Sequence, residues 1–173
     1  MTAQTLTHYF YQYGGLALFV VVLLEYLNLP GFPAGIIMPM AGIWAAKGGI
    51  GLGTALFLSV LAGLLGSWIL YFVGRFGGEI VISKYIQRFP KHKPIIDNTI
   101  ERIRSKGGWG VFVGKLLPMV RTIISIPAGV LKMDFLSYTL FSTFGIIIWN
   151  TVFVGAGYVF GDAVFKILKI TVN

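Results

Sequence analysis

The 173-residue chain contains no cysteine, two histidines and six acidic residues, and only 12% of it is charged. Without cysteine there can be no disulfide, thiolate metal site or cysteine nucleophile. His8 and His92 lie far apart at polar segment edges and read as interfacial residues, so no metal site is expected. No nucleophile stands beside a base and no metal-ligating cluster is visible, which argues against a lipid-modifying enzyme and calls for no cofactor. A soluble domain is about 25% charged. This chain is 56% hydrophobic with a mean hydropathy of +0.82, so its solvent is lipid and an all-α polytopic membrane protein is expected. Its length suits one domain, 1–173, with about three full spans of about 20 residues each beside shorter apolar segments. The first hydrophobic run is long and lacks a small-residue cleavage site, so it reads as a retained helix and not a signal peptide.

Positive charge is what the chain has in excess: the net charge is +8, and its placement is uneven. Arg75, Lys84, Arg88, Lys91, Lys93, Arg102, Arg104 and Lys106 face only Glu79, Asp97 and Glu101, which marks residues 75–108 as a cytoplasmic segment. Within it, Ile95, Ile96, Thr99, Ile100 and Ile103 recur at helical spacing opposite charged residues, the pattern of a helix lying in the headgroup plane. Between two spans, the anionic partner of residues 84–106 is a lipid surface and not nucleic acid.

Prolines divide the apolar stretches. Pro30 and Pro39 recur as Pro118 and Pro127, 88 residues later. The first half, 14–74, holds a span, a Pro/Gly-rich turn around Pro30, Pro33 and Gly35, and an apolar run too short to cross. A re-entrant hairpin over 30–48 fits, because non-helical backbone at membrane depth must line a cavity or be buried in protein. The second half, 109–161, repeats the plan with a re-entrant segment over 109–132 and a span over 135–160. Pro39-Met40-Ala41-Gly42 resembles Pro127-Ala128-Gly129, and 68–74 resembles 149–155. With the basic segment inside, the two hairpins open to opposite faces, as in an inverted repeat with a site near the midplane. This places the N-terminus inside and the C-terminus outside, against the charge preference of Lys166 and Lys169.

Ionisable residues inside apolar runs cost roughly 2.5–3.5 kcal/mol on insertion scales and persist where they are paired or face water. Glu25 is read as a proton-titrating group or a partner for Arg121, against an interfacial carboxylate. Arg121 suits bidentate contact with phosphate, against snorkelling to the surface. Lys115 is either an interfacial anchor or a second cation for the same anion. Gly63, Gly66, Ser67, Gly145, Gly155 and Gly157 read as helix contacts, and Trp109 and Trp149 as anchors or lipid-facing bulk.

The run Gly114-Lys115-Leu116-Leu117-Pro118-Met119-Val120-Arg121-Thr122, followed by Ile126-Pro127-Ala128-Gly129, resembles the second re-entrant motif of DedA proteins, the bacterial branch of the VTT-domain (SNARE-associated) superfamily. Glu25, the Pro-rich turn and the Tyr71, Gly74, Arg75, Gly78 pattern resemble it too, so the likeness covers roughly residues 15–161. It implies a translocase of lipids with phosphate headgroups in the bacterial cytoplasmic membrane, acting on undecaprenyl phosphate or on phosphatidylethanolamine and linked to the proton gradient. Arg121 and Lys115, with Pro118 and Pro127, would form the substrate site, and Glu25 the coupling group. Two positions depart from the pattern: the family's first arginine is Lys115 here, and its second acid falls at about Gly35. Those departures favour scrambling or a mechanism that uses Glu25 alone. The chain ends soon after Gly161, without the further C-terminal helix of longer members. An ion or small-solute transporter is the rival class, and a homo-oligomer is left open.

Overall fold

The computed structural model describes the backbone of residues 3–27, 37–47, 49–118 and 120–171, and side chains within 14–27, 37–47, 49–118 and 120–161. Among these residues every element is helical. Helix α1 is Ala3–Tyr26, α2 is Ile37–Ala46 and α3 is Leu52–Arg88; α4 is Lys93–Lys106, α5 is Gly108–Lys115, α6 is Val120–Ile123, α7 is Ser125–Val130 and α8 is Phe135–Thr171. Among the described residues, α3 and α8 up to Gly161 combine the length and apolarity needed to cross a membrane, whereas α1 from Gly14, α2 and the 120–130 segment are shorter apolar helices. Pro30, Pro33 and Gly35, and with them the expected turn, lie outside the described residues.

Local chemistry sets the breaks. A proline within the first turn costs no helical hydrogen bond, and Pro39 and Pro127 each stand third in their short helices, α2 and α7. Each therefore starts a helix where a break had been expected. Helix α3 continues past the predicted end of its span and kinks at Gly78, whose φ of 57° and ψ of −148° lie in a region open to glycine. Helix α4 forms as predicted, but Ile96, Thr99 and Ile103 are buried against protein. Its neighbours are α5 and α7, so its apolar face is covered while Asp97, Glu101, Arg104 and Lys106 stay exposed.

The outside of the bundle is as apolar as its inside. Phe57, Phe76, Leu136 and Val159 are each more than 60% exposed on α3 and α8. Soluble proteins do not present such surfaces at this extent, and lipid accommodates them. Two clusters fill the interior. One gathers Val22, Tyr26, Met38, Ala62, Ile146 and Val154 from α1, α2, α3 and α8; the other gathers Tyr71, Ile103, Val111, Ile124, Ala128 and Tyr138.

Each short helix docks on the long helix of the other half, α2 on α8 and α7 on α3. Glycines make both contacts. A Cβ on Gly42 would meet Val154 O and Tyr158 N, and one on Gly157 would meet Pro39 O. In the other crossing, a Cβ on Gly129 would meet Tyr71 O and Arg75 N, and one on Gly74 would meet Ile126 O. The two registers are identical: each short-helix glycine faces the carbonyl three residues before the long-helix glycine and the N–H one residue after it. Gly42 thus corresponds to Gly129 and Gly74 to Gly157, which sets Pro39 opposite Ile126. The sequence alignment of Pro39 with Pro127 is off by one residue, and that of 68–74 with 149–155 by two. Gly155, expected at a helix contact, has no atom of another element within 4 Å of its added Cβ among the described residues.

Candidate functional site

Arg121 occupies the single turn of α6, between Pro118, beyond the end of α5, and the start of α7. Proline disfavours helix in the residue before it, so the chain turns here and carries the guanidinium inward. Arg121 is 1% exposed, and its Nη2 donates to Oε1 of Glu25, which is 2% exposed at the end of α1. The guanidinium lies over the ring of Tyr26, with Cζ 4.7 Å from the centroid, and over that of Trp149, at 5.0 Å. Aromatic faces attract a desolvated cation, so both rings add to the hold of Glu25 on the guanidinium. Taking such a pair out of water costs several kcal/mol per ion, and its attraction rarely returns more than that cost. Stability alone is thus a poor reason for its presence.

Lys115, at the end of α5, is 1% exposed and lies 5.9 Å from the same Tyr26 ring. Its Nζ donates to Ser67 Oγ at 2.8 Å and Ser125 Oγ at 3.1 Å. Tyr138 donates to Ser125 Oγ at 2.8 Å and is within 3.1 Å of Ser67 O. Gly145 makes room for this: a Cβ there would stand 2.5 Å from Lys115 Cβ. On the other side, Tyr26 donates to Asn150 Oδ1 at 3.0 Å, and Asn150 Nδ2 donates to Ser59 Oγ at 3.1 Å. Gly63 and Gly66 seat the tyrosine, whose Cζ and Cβ lie 2.9 Å and 2.8 Å from their added Cβ positions.

The structure therefore brings together Glu25, Lys115 and Arg121. Other expected residues sit apart. Pro118 is exposed, and Pro127 is buried within α7. Pro39, Gly74 and Gly129 belong to the two crossings, and Gly78 to the kink. Tyr71 and Arg75 fasten the chain between α7 and α8: Tyr71 donates to Met133 O, while Arg75 Nη1 donates to Tyr71 Oη at 2.7 Å and to Met133 O at 3.3 Å. A surface cavity of about 820 Å3, lined by Glu79, Ser83, Ile100, Arg104 and Lys132 among others, does not include the buried cations.

Sequence reasoning missed Ser59, Ser125, Tyr138 and Asn150 and took Ser67 for a helix contact. Polar side chains inside apolar spans were the available signal. Trp149 needs correction: it is 7% exposed and covers Arg121, so it is not lipid-facing bulk.

Apolar helices enclosing an ion pair and a second cation define a helical membrane protein with a charged interior site. The chain belongs to the VTT-domain family, the DedA proteins, whose profile matches residues 32–159. It is similar to undecaprenyl phosphate transporter A of Staphylococcus aureus (strain NCTC 8325 / PS 47), with 31% identity over 151 residues, 85% of this chain and 74% of the relative. The protein of the same name from Bacillus subtilis (strain 168) is 32% identical over 130 residues, 75% of this chain and 66% of that protein. An alkaline phosphatase-like protein of Lactococcus lactis subsp. cremoris (strain MG1363) is 29% identical over 156 residues, 87% of this chain and 72% of the relative. The chain thus spans between 66% and 74% of the length of these relatives. No solved structure matches it.

Proposed function

We propose that this protein is a lipid translocase of the bacterial cytoplasmic membrane, moving a lipid phosphate such as undecaprenyl phosphate between leaflets. The observation that carries the reading is the burial of two cationic side chains, Arg121 and Lys115, beside one carboxylate, Glu25, with Arg121 Nη1 lacking a hydrogen-bond partner among the described residues. A buried cation with an unused donor is suited to an anion, and a guanidinium pairs well with phosphate. Two relatives bear the name undecaprenyl phosphate transporter A, which supports the same ligand.

The headgroup phosphate first takes the unused Nη1 of Arg121 and then competes with Glu25 for the guanidinium, while the tails remain in lipid. Protonation of Glu25 weakens its hold on the guanidinium and so links transport to protons. The reciprocal glycine crossings support an inverted repeat of two halves, 14–74 and 109–161, with re-entrant hairpins opening to opposite faces and a single domain over 1–173. The charged face of α4 meets the anionic cytoplasmic lipid surface. Group transfer is the weaker reading, because Ser125 Oγ accepts hydrogen bonds from both Lys115 and Tyr138, leaving it poorly disposed to attack.

Purified protein in vesicles distinguishes the ligands. Undecaprenyl phosphate is expected to cross faster than phosphatidylethanolamine; faster movement of phosphatidylethanolamine, or ion flux with no lipid movement, would replace this reading.

A further inference from the structure

Two buried N–H groups at the site have no hydrogen-bond partner among the described residues: Arg121 Nη1 and Trp149 Nε1. Arg121 is 1% exposed and Trp149 7%, so bulk solvent does not satisfy them. Native structures rarely leave such groups unpaired, and each exception calls for a cause. The two residues are neighbours, with the Arg121 Cζ 5.0 Å from the Trp149 ring centroid. Packing fixes the indole, because Phe153 stacks on it at 4.3 Å. Glu25 takes the Nη2 end of the guanidinium.

We propose that the Trp149 indole N–H and Arg121 Nη1 together hold the phosphate of the transported lipid, and that the ligand is a phosphate monoester. The inference rests on the transport reading above and adds the residue that reads the headgroup. An indole N–H donates and never accepts. It therefore directs an anionic oxygen without adding charge. Lys115 has three N–H groups and donates two of them, to Ser67 and Ser125, which leaves one more donor in the same cluster, beside the Tyr26 ring it shares with Arg121. Three donors match the three unsubstituted oxygens of a monoester, whereas a diester offers two.

The test uses the full chain in detergent with 15N-indole tryptophan. Farnesyl phosphate is the monoester probe; inorganic phosphate and a short-chain phosphatidylethanolamine are the other arms. The Trp149 indole signal is assigned by its loss in Trp149→Phe, or by elimination with Trp44→Phe, Trp68→Phe and Trp109→Phe if that variant does not fold. It is expected to move saturably with farnesyl phosphate; by isothermal titration calorimetry, which needs no indole signal, Trp149→Phe, which keeps a ring over Arg121, is expected to raise the half-saturating concentration about tenfold, as loss of a hydrogen bond to a charged group does. An unmoved signal, in a protein whose lipid transport is lost on Arg121→Ala, overturns the role of Trp149 and leaves the transport reading standing. Transport unaffected by Arg121→Ala overturns both. An equal response to phosphatidylethanolamine rules out the monoester preference, and an equal response to inorganic phosphate rules out the lipid as the ligand.

Discussion

The two glycine crossings share one backbone register and differ in chemistry. Around the first, where α2 meets α8, the neighbouring polar contacts are neutral: Tyr26, Asn150 and Ser59. Around the second, where α7 meets α3, a cation takes the corresponding place, with Lys115 donating to Ser67 and Ser125. Aligning Gly74 with Gly157 sets Ser67 opposite Asn150, so equivalent positions of the two long helices hold Lys115 in one half and Tyr26 in the other. The difference teaches that scaffold and site are separable. Backbone approach at glycine builds the crossings, and side chains then make the halves unequal, with both cations in the second and the carboxylate in the first.

That inequality can be broken by mutation. The largest effect is expected from Arg121→Ala, which leaves the Glu25 carboxylate buried without its cation and costs about 3–5 kcal/mol. Adding Glu25→Gln to that variant should return much of the stability, measured by unfolding in detergent, but none of the lipid transport. Next come Gly42→Ala and Gly129→Ala, each expected to cost about 1–3 kcal/mol because a methyl group must push backbone from backbone. Equal costs sharpen the equivalence of the crossings; a cost at one only breaks it. Asn150→Ala strands the Tyr26 hydroxyl and should cost about 1–2 kcal/mol. Ser67→Ala removes one of the acceptors of Lys115 and leaves Ser125, so about 1 kcal/mol is expected. A larger loss at Ser67 than at Asn150 would show that the charged side is the tighter of the two.

Much of the site was legible in the sequence, because an ionisable residue inside an apolar run is costly and stands out. Glu25, Lys115 and Arg121 were all found that way. Helix α4 was legible from its isoleucine spacing, although covering by protein was not, since period alone does not say what meets an apolar face. The crossings were legible as a proline repeat one residue out of register and a match of 68–74 with 149–155 two residues out, while Ala41-Gly42 against Ala128-Gly129 fell in the observed register; glycine has no side chain to say which of these shifts is right. Trp149 was misread because tryptophan in a membrane protein ordinarily marks the lipid interface, and only its position over Arg121 gives it another role. Ser67 and Asn150 carried a weaker signal, as polar residues in spans serve packing as often as ligands.

The role of Arg121 meets its most direct test in vesicles of defined lipid containing wild-type protein, Arg121→Ala or Glu25→Gln, with the appearance of undecaprenyl phosphate in the opposite leaflet followed over time. Arg121→Ala should fall to the protein-free rate, and Glu25→Gln should keep binding while losing its dependence on a proton gradient. Flipping by Arg121→Ala at the wild-type rate would contradict the assignment of the buried guanidinium as the phosphate site.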